Sequence, residues 1–362
     1  MLPRLGVGWK TGFEIELLLP RGRTRRDLAA LVAGPTGSVG RFFHPQSEPS
    51  QVKGSPTFEN LTPGFEARDA AGRPLARFVD DLTLQAELDR GAPALPGWYR
   101  IVTDDGRLLR LAMRHCDAEA PLAGVLDPLA ALFGTRPEPH PSGMLRVSDE
   151  RGVSVAIAAP LPGERERTCE IVTPPLEENH EAALDGLLAA ARALGCTLPL
   201  EGATHLHFDA TALASAPAGA RLVALFSAQG EALKRLVGSN PFCIRLGPWP
   251  DALLPLVSAP GFATLDWPAA RQALAGVGLT KYCDVNLVNL VQALPGKHTV
   301  EVRTLPATLD AGFVADAAEL FAGLLRRCAD GPAWPSSTAG DLASLLRSLP
   351  LSPRARRRWC DG

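Results

Sequence analysis

The sequence predicts an α+β fold, a largely antiparallel sheet backed by helices, on three observations. Short segments such as GFEIELLL (12–19), THLHFDA (204–210) and HTVEVRTL (298–305) set polar residues between apolar ones, as strands with two different faces do. Turn signals recur through the first half and punctuate hairpins. Three long stretches of the second half carry apolar residues at helical spacing. Hairpins first and helices later favour a segregated fold over alternating βαβ units.

Element by element, GFEIELLL is a strand ended by Pro20, and TRRDLAALVAG (24–34) a short helix stopped by Gly34 and Pro35. Three hairpins are expected before residue 168. FEARDAAGRPLARFVDDLTL turns at Ala71 and Gly72, WYRIVTDDGRLLRLAM at Asp105 and Gly106, and MLRVSDERGVSVAIAA around Arg151 and Gly152. The Pro-rich connectors 92–97 and 135–143 read as loops rather than domain linkers. Helices follow over 180–195, 218–238 and 311–329, separated by the short strands CEIVT, THLHFDA, DVNLVNLVQA and HTVEVRTL.

Composition narrows the classes of function. The chain has 362 residues, 46% of them hydrophobic, and a formal charge of -2, so no global field attracts nucleic acid or a membrane surface, and neither is expected as a partner. The one basic cluster, Arg354, Arg356, Arg357 and Arg358, reads as a solvated helix end or tail. Seven cysteines stand singly with no CxxC pair, which fits reduced thiols in a cytoplasmic protein. The N-terminal stretch lacks the apolar core of a secretory signal, and no run of about 18 apolar residues could span a membrane.

The chemistry lies in polar doublets on sheet faces. Residues i and i+2 of a strand point the same way, roughly 7 Å apart. Glu14 and Glu16 flank Ile15, His205 and His207 flank Leu206, Glu301 and Arg303 flank Val302, and Glu170 stands beside Ile171. One such doublet is what any solvated sheet face shows. Taken together, the set is carboxylates and imidazoles with one arginine, in place of the usual mixture of Lys, Thr, Ser and Glu. If Glu14, Glu16, Glu170 and Glu301 converge, their four charges need counter-charge, which two divalent cations would supply. Oxygen-rich ligation favours Mg²⁺ or Mn²⁺ over zinc, and Mg²⁺ held by a few carboxylates usually also holds substrate phosphates. A nucleotide is therefore the expected partner. The Gly-rich pieces VAGPTGSVG (32–40) and AGVGLTK (275–281) lack the spacing of a GxxxxGKS/T phosphate loop, so the phosphate site would be a sheet face with metal and arginine.

Five segments resemble, in order and spacing, the amidoligase family. That family is a branch of the ATP-dependent carboxylate-amine ligases, which share a fold with glutamine synthetase and glutamate-cysteine ligase. The segments are GFEIEL (12–17), LRVSDERGVSV with CEIVTPPL (145–155 and 169–176), THLHFDA (204–210), KYCDVNLVNL (281–290) and HTVEVRTLPATLD (298–310). The resemblance runs from residue 12 to about 325. It implies a curved, largely antiparallel sheet, the half barrel of glutamine synthetase, with Glu14, Glu16, Glu170, His205 and Glu301 as metal ligands. His207 would lie near the nucleotide phosphates, Arg303 on the transferred phosphoryl group, and Asn286 beside them in the family's VNL segment. Arg303, Glu301 and Glu16 would then be the catalytic residues. The chain departs from the family's pattern at GAT (202–204), which replaces a glycine pair, and over about 42–145, whose hairpins read as a β-rich insertion. The organisation implied is one catalytic domain over 1–330 with that insertion, followed by a helical, basic tail over 331–362.

Amide formation from a free carboxylate is uphill, so the resemblance implies ATP and Mg²⁺ (or Mn²⁺) and an acyl phosphate, attacked by the amine of a second substrate. Both substrates would be small molecules or peptides. The base that accepts the amine proton is open among Asp149, Asp209 and Glu14 or Glu16 acting through water. A phosphotransferase on the same scaffold, a guanidino or carboxylate kinase, is the alternative, and a non-catalytic metal- or peptide-binding module the third reading. The remaining polar and aromatic residues have plainer readings. Asp149 caps the turn SDERG, and Asn286 and Asn289 face opposite ways on one strand. His44, His115, His140, His180 and His298 are surface or loop residues, and Trp98, Trp249, Trp267 and Trp334 pack.

Overall fold

A computed structural model describes residues 8–49, 57–243, 245–292, 296–331 and 342–361. Trp334 and the start of the expected tail lie outside the described residues. The chain divides into two compact units. One, the hairpin unit, comprises Glu16–Val172 and Ala190–Leu200. The other, the site unit, comprises the residues up to Ile15, Thr173–Ala189 and the chain from Glu201 on. Each is a mixture of helices and strands, and the strands within each pair antiparallel without closing.

Strand β1 (Thr11–Leu18) enters the hairpin unit at Glu16 and leads to α1 (Arg25–Ala33). Thr24 and Asp27 cap α1 reciprocally, and Gly34 ends it with φ +67°, a conformation that favours a residue without Cβ. Strands β2 (Ser38–Pro49) and β3 (Thr57–Arg68) pair along their whole length. β3 also pairs with β4 (Pro74–Val79) and β5 (Tyr99–Thr103). The β3–β4 turn forms at Gly72 as the sequence predicts, with φ +77°. Its Asp69 carboxylate accepts the backbone N–H groups of Ala71 and Arg73 at 2.9 Å each.

The second expected hairpin is absent. Asp105–Gly106 looks like a turn dipeptide, but Asp105 accepts the N–H of Arg107 and starts helix α2 (Gly106–His115), so GRLLRLAM is helical rather than a returning strand. With α3 (Asp127–Leu132), α2 covers a core of Leu61, Ile101, Leu109, Leu129, Val147 and Ala158. Strand β6 (Glu138–Pro139) pairs with β7 (Leu145–Ser148), and β7 with β8 (Ser154–Pro160), the third hairpin, as expected. The Asp149 carboxylate caps that turn, accepting from the N–H groups of Arg151 (2.9 Å) and Val153 (2.8 Å). Strand β9 (Thr168–Val172) lies against β4.

Under these strands runs a buried ionic network. Arg25 is fully buried, donating to the carbonyls of Arg165, Thr168 (2.7 Å) and Pro63 (3.1 Å), and lies 3.7 Å from Asp80. Asp80 also accepts from Arg165 and Thr168, and Arg165 gives its other N–H groups to the carbonyls of Leu84 (2.6 Å) and Asp81 (2.7 Å). Trp98 closes one side, its ring 4.9 Å from the Arg25 guanidinium.

In the site unit α4 (His180–Leu194) begins with a histidine that is buried, not surface: His180 bonds the Leu176 carbonyl at 3.0 Å and meets Phe13 edge-on. Next come β10 (Ala203–Asp209), α5 (Ala216–Val237), α6 (Leu253–Ser258) and α7 (Trp267–Ala275). DVNLVNLVQA is not one strand. Strand β11 covers only Val285–Asn286, because the Asn286 side chain accepts the N–H of Val288 at 2.9 Å and opens helix α8 (Val288–Gln292), which carries Asn289. Strand β12 (Thr299–Pro306) and helix α9 (Ala311–Asp330) complete the unit's centre, in the strand order β11-β12-β10-β1. Phe13, Leu206, Phe208, Val300 and Val302 are all fully buried on one face.

The basic C-terminal run docks rather than standing solvated. After α10 (Leu342–Ser348), helix α11 (Pro353–Cys360) sends Arg354 and Arg358 to the fully buried Asp316 of α9 at 2.7 and 2.8 Å. Its Trp359 N–H reaches the Asp316 carbonyl at 3.0 Å. All seven cysteines are free thiols, and among the described residues no helix is long and apolar enough to cross a membrane.

Candidate active site

Alternation along three neighbouring strands builds the site. Register places Glu14 opposite His205 and Gly12 opposite His207 across β1 and β10, then His207 opposite Glu301 across β10 and β12. Asn286 of β11 stands opposite Glu301 from the other side. Since Leu206 and Val302 fill the core face, both histidines, Glu301 and Asn286 must share the opposite one.

Between Thr204 and Leu206 the β10–β12 register shifts, because Thr204 pairs with Leu305 while Leu206 pairs with Val302. Strand β12 therefore holds one residue more than β10 across this step, and Arg303 sits in the bulge. The backbone groups released there find partners. The Arg303 N–H donates to the Asp284 carbonyl at 3.0 Å, and the Thr304 carbonyl accepts from the Ser239 hydroxyl.

The side chains meet above this frame. Glu301 is fixed at both oxygens, by Arg303 at one and by the Asn286 amide at 2.7 Å at the other. Glu14 lies 3.0 Å from His207 and 3.3 Å from His205, and Glu301 lies 3.9 and 3.6 Å from the same two rings. Glu301, His205, Asn286 and Arg303 are buried, whereas Glu14 and His207 keep part of their surface open.

Burial and opposite charge compete throughout this group. Burial alone would raise the Glu14 carboxyl, but His207 and His205 outweigh it and hold Glu14 well below the ordinary carboxylate range. Burial likewise opposes a low value for Glu301, and His207 and Arg303 overcome it. For His207, burial works against the charged ring, yet Glu14 and Glu301 push it up to about 9. Two carboxylates thus hold a proton on an imidazole far into the basic range, which is the electrostatic demand a cation would answer.

The donor set fits a divalent cation. Ligand atoms of Glu14, His207 and Glu301 lie within 4.8 Å of one another, two oxygens and one nitrogen. His205 adjoins Glu14 in the same unit. Glu16 and Glu170 belong to the hairpin unit, Glu16 buried on β1 and Glu170 paired with Val79 on β9. Asn286 has a role the sequence left open: it ties Glu301 down with its amide and caps α8 with its oxygen. The Ser239 and Asp284 contacts that secure the bulge gave no signal in the sequence, because both act on backbone groups.

A family model described as "Putative amidoligase enzyme" matches residues 8–325, from before β1 to within α9. No curated protein and no solved structure matches the chain.

Proposed function

The chain belongs to the amidoligase family, one of ligase-type enzymes, and from that premise we propose that it joins a carboxylate to an amine with ATP and Mg²⁺ or Mn²⁺. The observation that carries this reading is the cluster of Glu14, His207 and Glu301 with Arg303 bound to Glu301, all on one sheet face. Glu14, His207 and Glu301 would hold the cation, which when bound neutralises phosphate oxygens.

The residues of the chain divide the work. Asn286 fixes Glu301, and Glu301 in turn orients Arg303, so that a planar guanidinium fork would stand beside a bound phosphate. A substrate carboxylate attacking the γ-phosphorus gives an acyl phosphate and ADP. Charge then spreads over three phosphoryl oxygens, where Arg303 would meet it. The amine attacks the acyl carbon, expels phosphate and loses a proton. Asp149 caps its turn and Asp209 likewise accepts the Thr211 N–H at 2.8 Å, which leaves Glu14 or Glu16 acting through water to take that proton.

The test is phosphate release from ATP by the purified protein against a panel of amino acids and short peptides, with mass spectrometry of the products. Release that requires both a carboxylate and an amine supports the ligase. A phosphorylated acceptor formed without amine would replace it by the kinase. Calorimetry adds a second check, since ATP should bind much more weakly in EDTA than with Mg²⁺; equal affinity would remove the metal from the reading.

A further inference from the structure

We propose that the site unit binds a small organic amine in a cavity on the face of β11 and β12 opposite the carboxylate and imidazole cluster. The cavity measures about 330 Å³, within the range of small-ligand sites. Val285 and Thr304 line it, whereas their neighbours Asn286 and Arg303 reach Glu301 on the other side. The cavity and the candidate active site thus share strands but not a surface.

Its walls are aromatic and its rim is acidic. Phe226 of α5 stacks on Phe321 of α9, centroids 6.3 Å apart, and Trp249 meets Phe226 edge-on at 6.4 Å. The Trp249 N–H is bound to the Val285 carbonyl at 2.6 Å, which fixes the ring as a wall. Glu231, Asp251 and Asp284 border the space. Lys234 bridges Glu231 at 3.0 Å and Asp284 at 3.2 Å, and Asp284 also accepts the Gly247 N–H at 3.0 Å; with Asp251 beside them, three carboxylates against that one ammonium leave the rim net negative.

Those two properties select the ligand. Apolar walls want an apolar body, and a negative rim with π faces attracts a cationic head, repels an anion and gives a neutral group little. An amine of phenethylamine size satisfies both. This inference is independent of the ligase reading, since it concerns a different face and needs neither nucleotide nor metal.

The experiment titrates 4-fluorophenethylamine into the full chain in EDTA and follows fluorine NMR, with 2-(4-fluorophenyl)ethanol and 3-(4-fluorophenyl)propionate as comparison probes. The amine should bind at least about tenfold tighter than the alcohol, a difference of about 1.4 kcal/mol, and the acid should not bind at millimolar concentration. Gly230 lines the cavity from α5, and a Cβ added there meets nothing within 4 Å, so Gly230→Leu fills the space from a helix that tolerates it. That variant should lose the amine while melting as the parent does. Should leucine compromise folding, Asp251→Asn decides the matter by weakening the amine but not the alcohol. Equal binding of alcohol and amine, no binding at millimolar amine, or full binding to a folded Gly230→Leu protein would each overturn the proposal.

Discussion

Two buried polar clusters, one in each unit, use the same kinds of residue to opposite ends. In the hairpin unit, Arg25 and Arg165 spend most of their N–H groups on backbone carbonyls and share Asp80, itself fully enclosed. That network is closed, a substitute for hydrophobic core. In the site unit, the carboxylates of Glu14 and Glu301 face two imidazoles across 3.0 to 3.9 Å, and His207 is held protonated far above its ordinary pKa. A closed network stabilises the fold that encloses it; an open one stores electrostatic demand for a ligand. The difference shows how burial alone misleads, since both clusters contain buried charge.

The largest effect should come from breaking the closed cluster. Asp80→Asn strands two buried guanidinium groups, and urea denaturation should show a loss of about 3 to 5 kcal/mol. A loss near zero would mean that the carbonyls suffice and that Asp80 is dispensable. In the open cluster Arg303→Lys should cost about 3 kcal/mol in turnover, roughly a hundredfold, with ATP affinity and stability little changed, because lysine keeps the charge but not the fork. Near-normal turnover in a folded Arg303→Lys protein would strip Arg303 of its role.

Smaller effects sharpen the contrast through pH. The folded pKa of His207 is raised from 6.5 to about 9, so its contribution to stability is full below about 6.5 and is lost as pH rises through about 9. Thermal melts in EDTA should therefore fall between those values, by at most about 2 to 3 kcal/mol, and added Mn²⁺ should restore stability most at the alkaline end, where protons no longer compete. Glu14→Gln removes the nearest carboxylate and should flatten that slope while leaving the fold intact; an unchanged slope would place the proton elsewhere.

How far the sequence carried depends on which force set each element. Strand alternation is a period of two enforced by the core, so His205, His207, Glu301 and Arg303 could be assigned a common face from their spacing with Leu206 and Val302. Family membership was also legible, from five short segments in order. Side-chain capping was the main source of error. Asp105 and Asn286 each bond a backbone N–H two residues on, a local act that converted an expected strand into helix in both places. Docking was opaque as well. Nothing in TRRDL marks Arg25 as fully buried, and nothing in PRARRRW shows that Asp316, 38 residues earlier than Arg354, draws the basic run inward.

The bulge on β12 separates two kinds of information in one strand. On either side of it the pairing with β10 is regular, so the apolar code of each flank is read independently of the residue between. Because its backbone is held by Asp284 and Ser239 rather than by the ladder, the aim of the Arg303 guanidinium is a variable that the hydrophobic pattern does not encode. Redesign could exploit this: because the Ser239 contact is made by a side chain, changes at position 239 would steer the arginine toward a differently placed acceptor while every core contact of the sheet stays as it is.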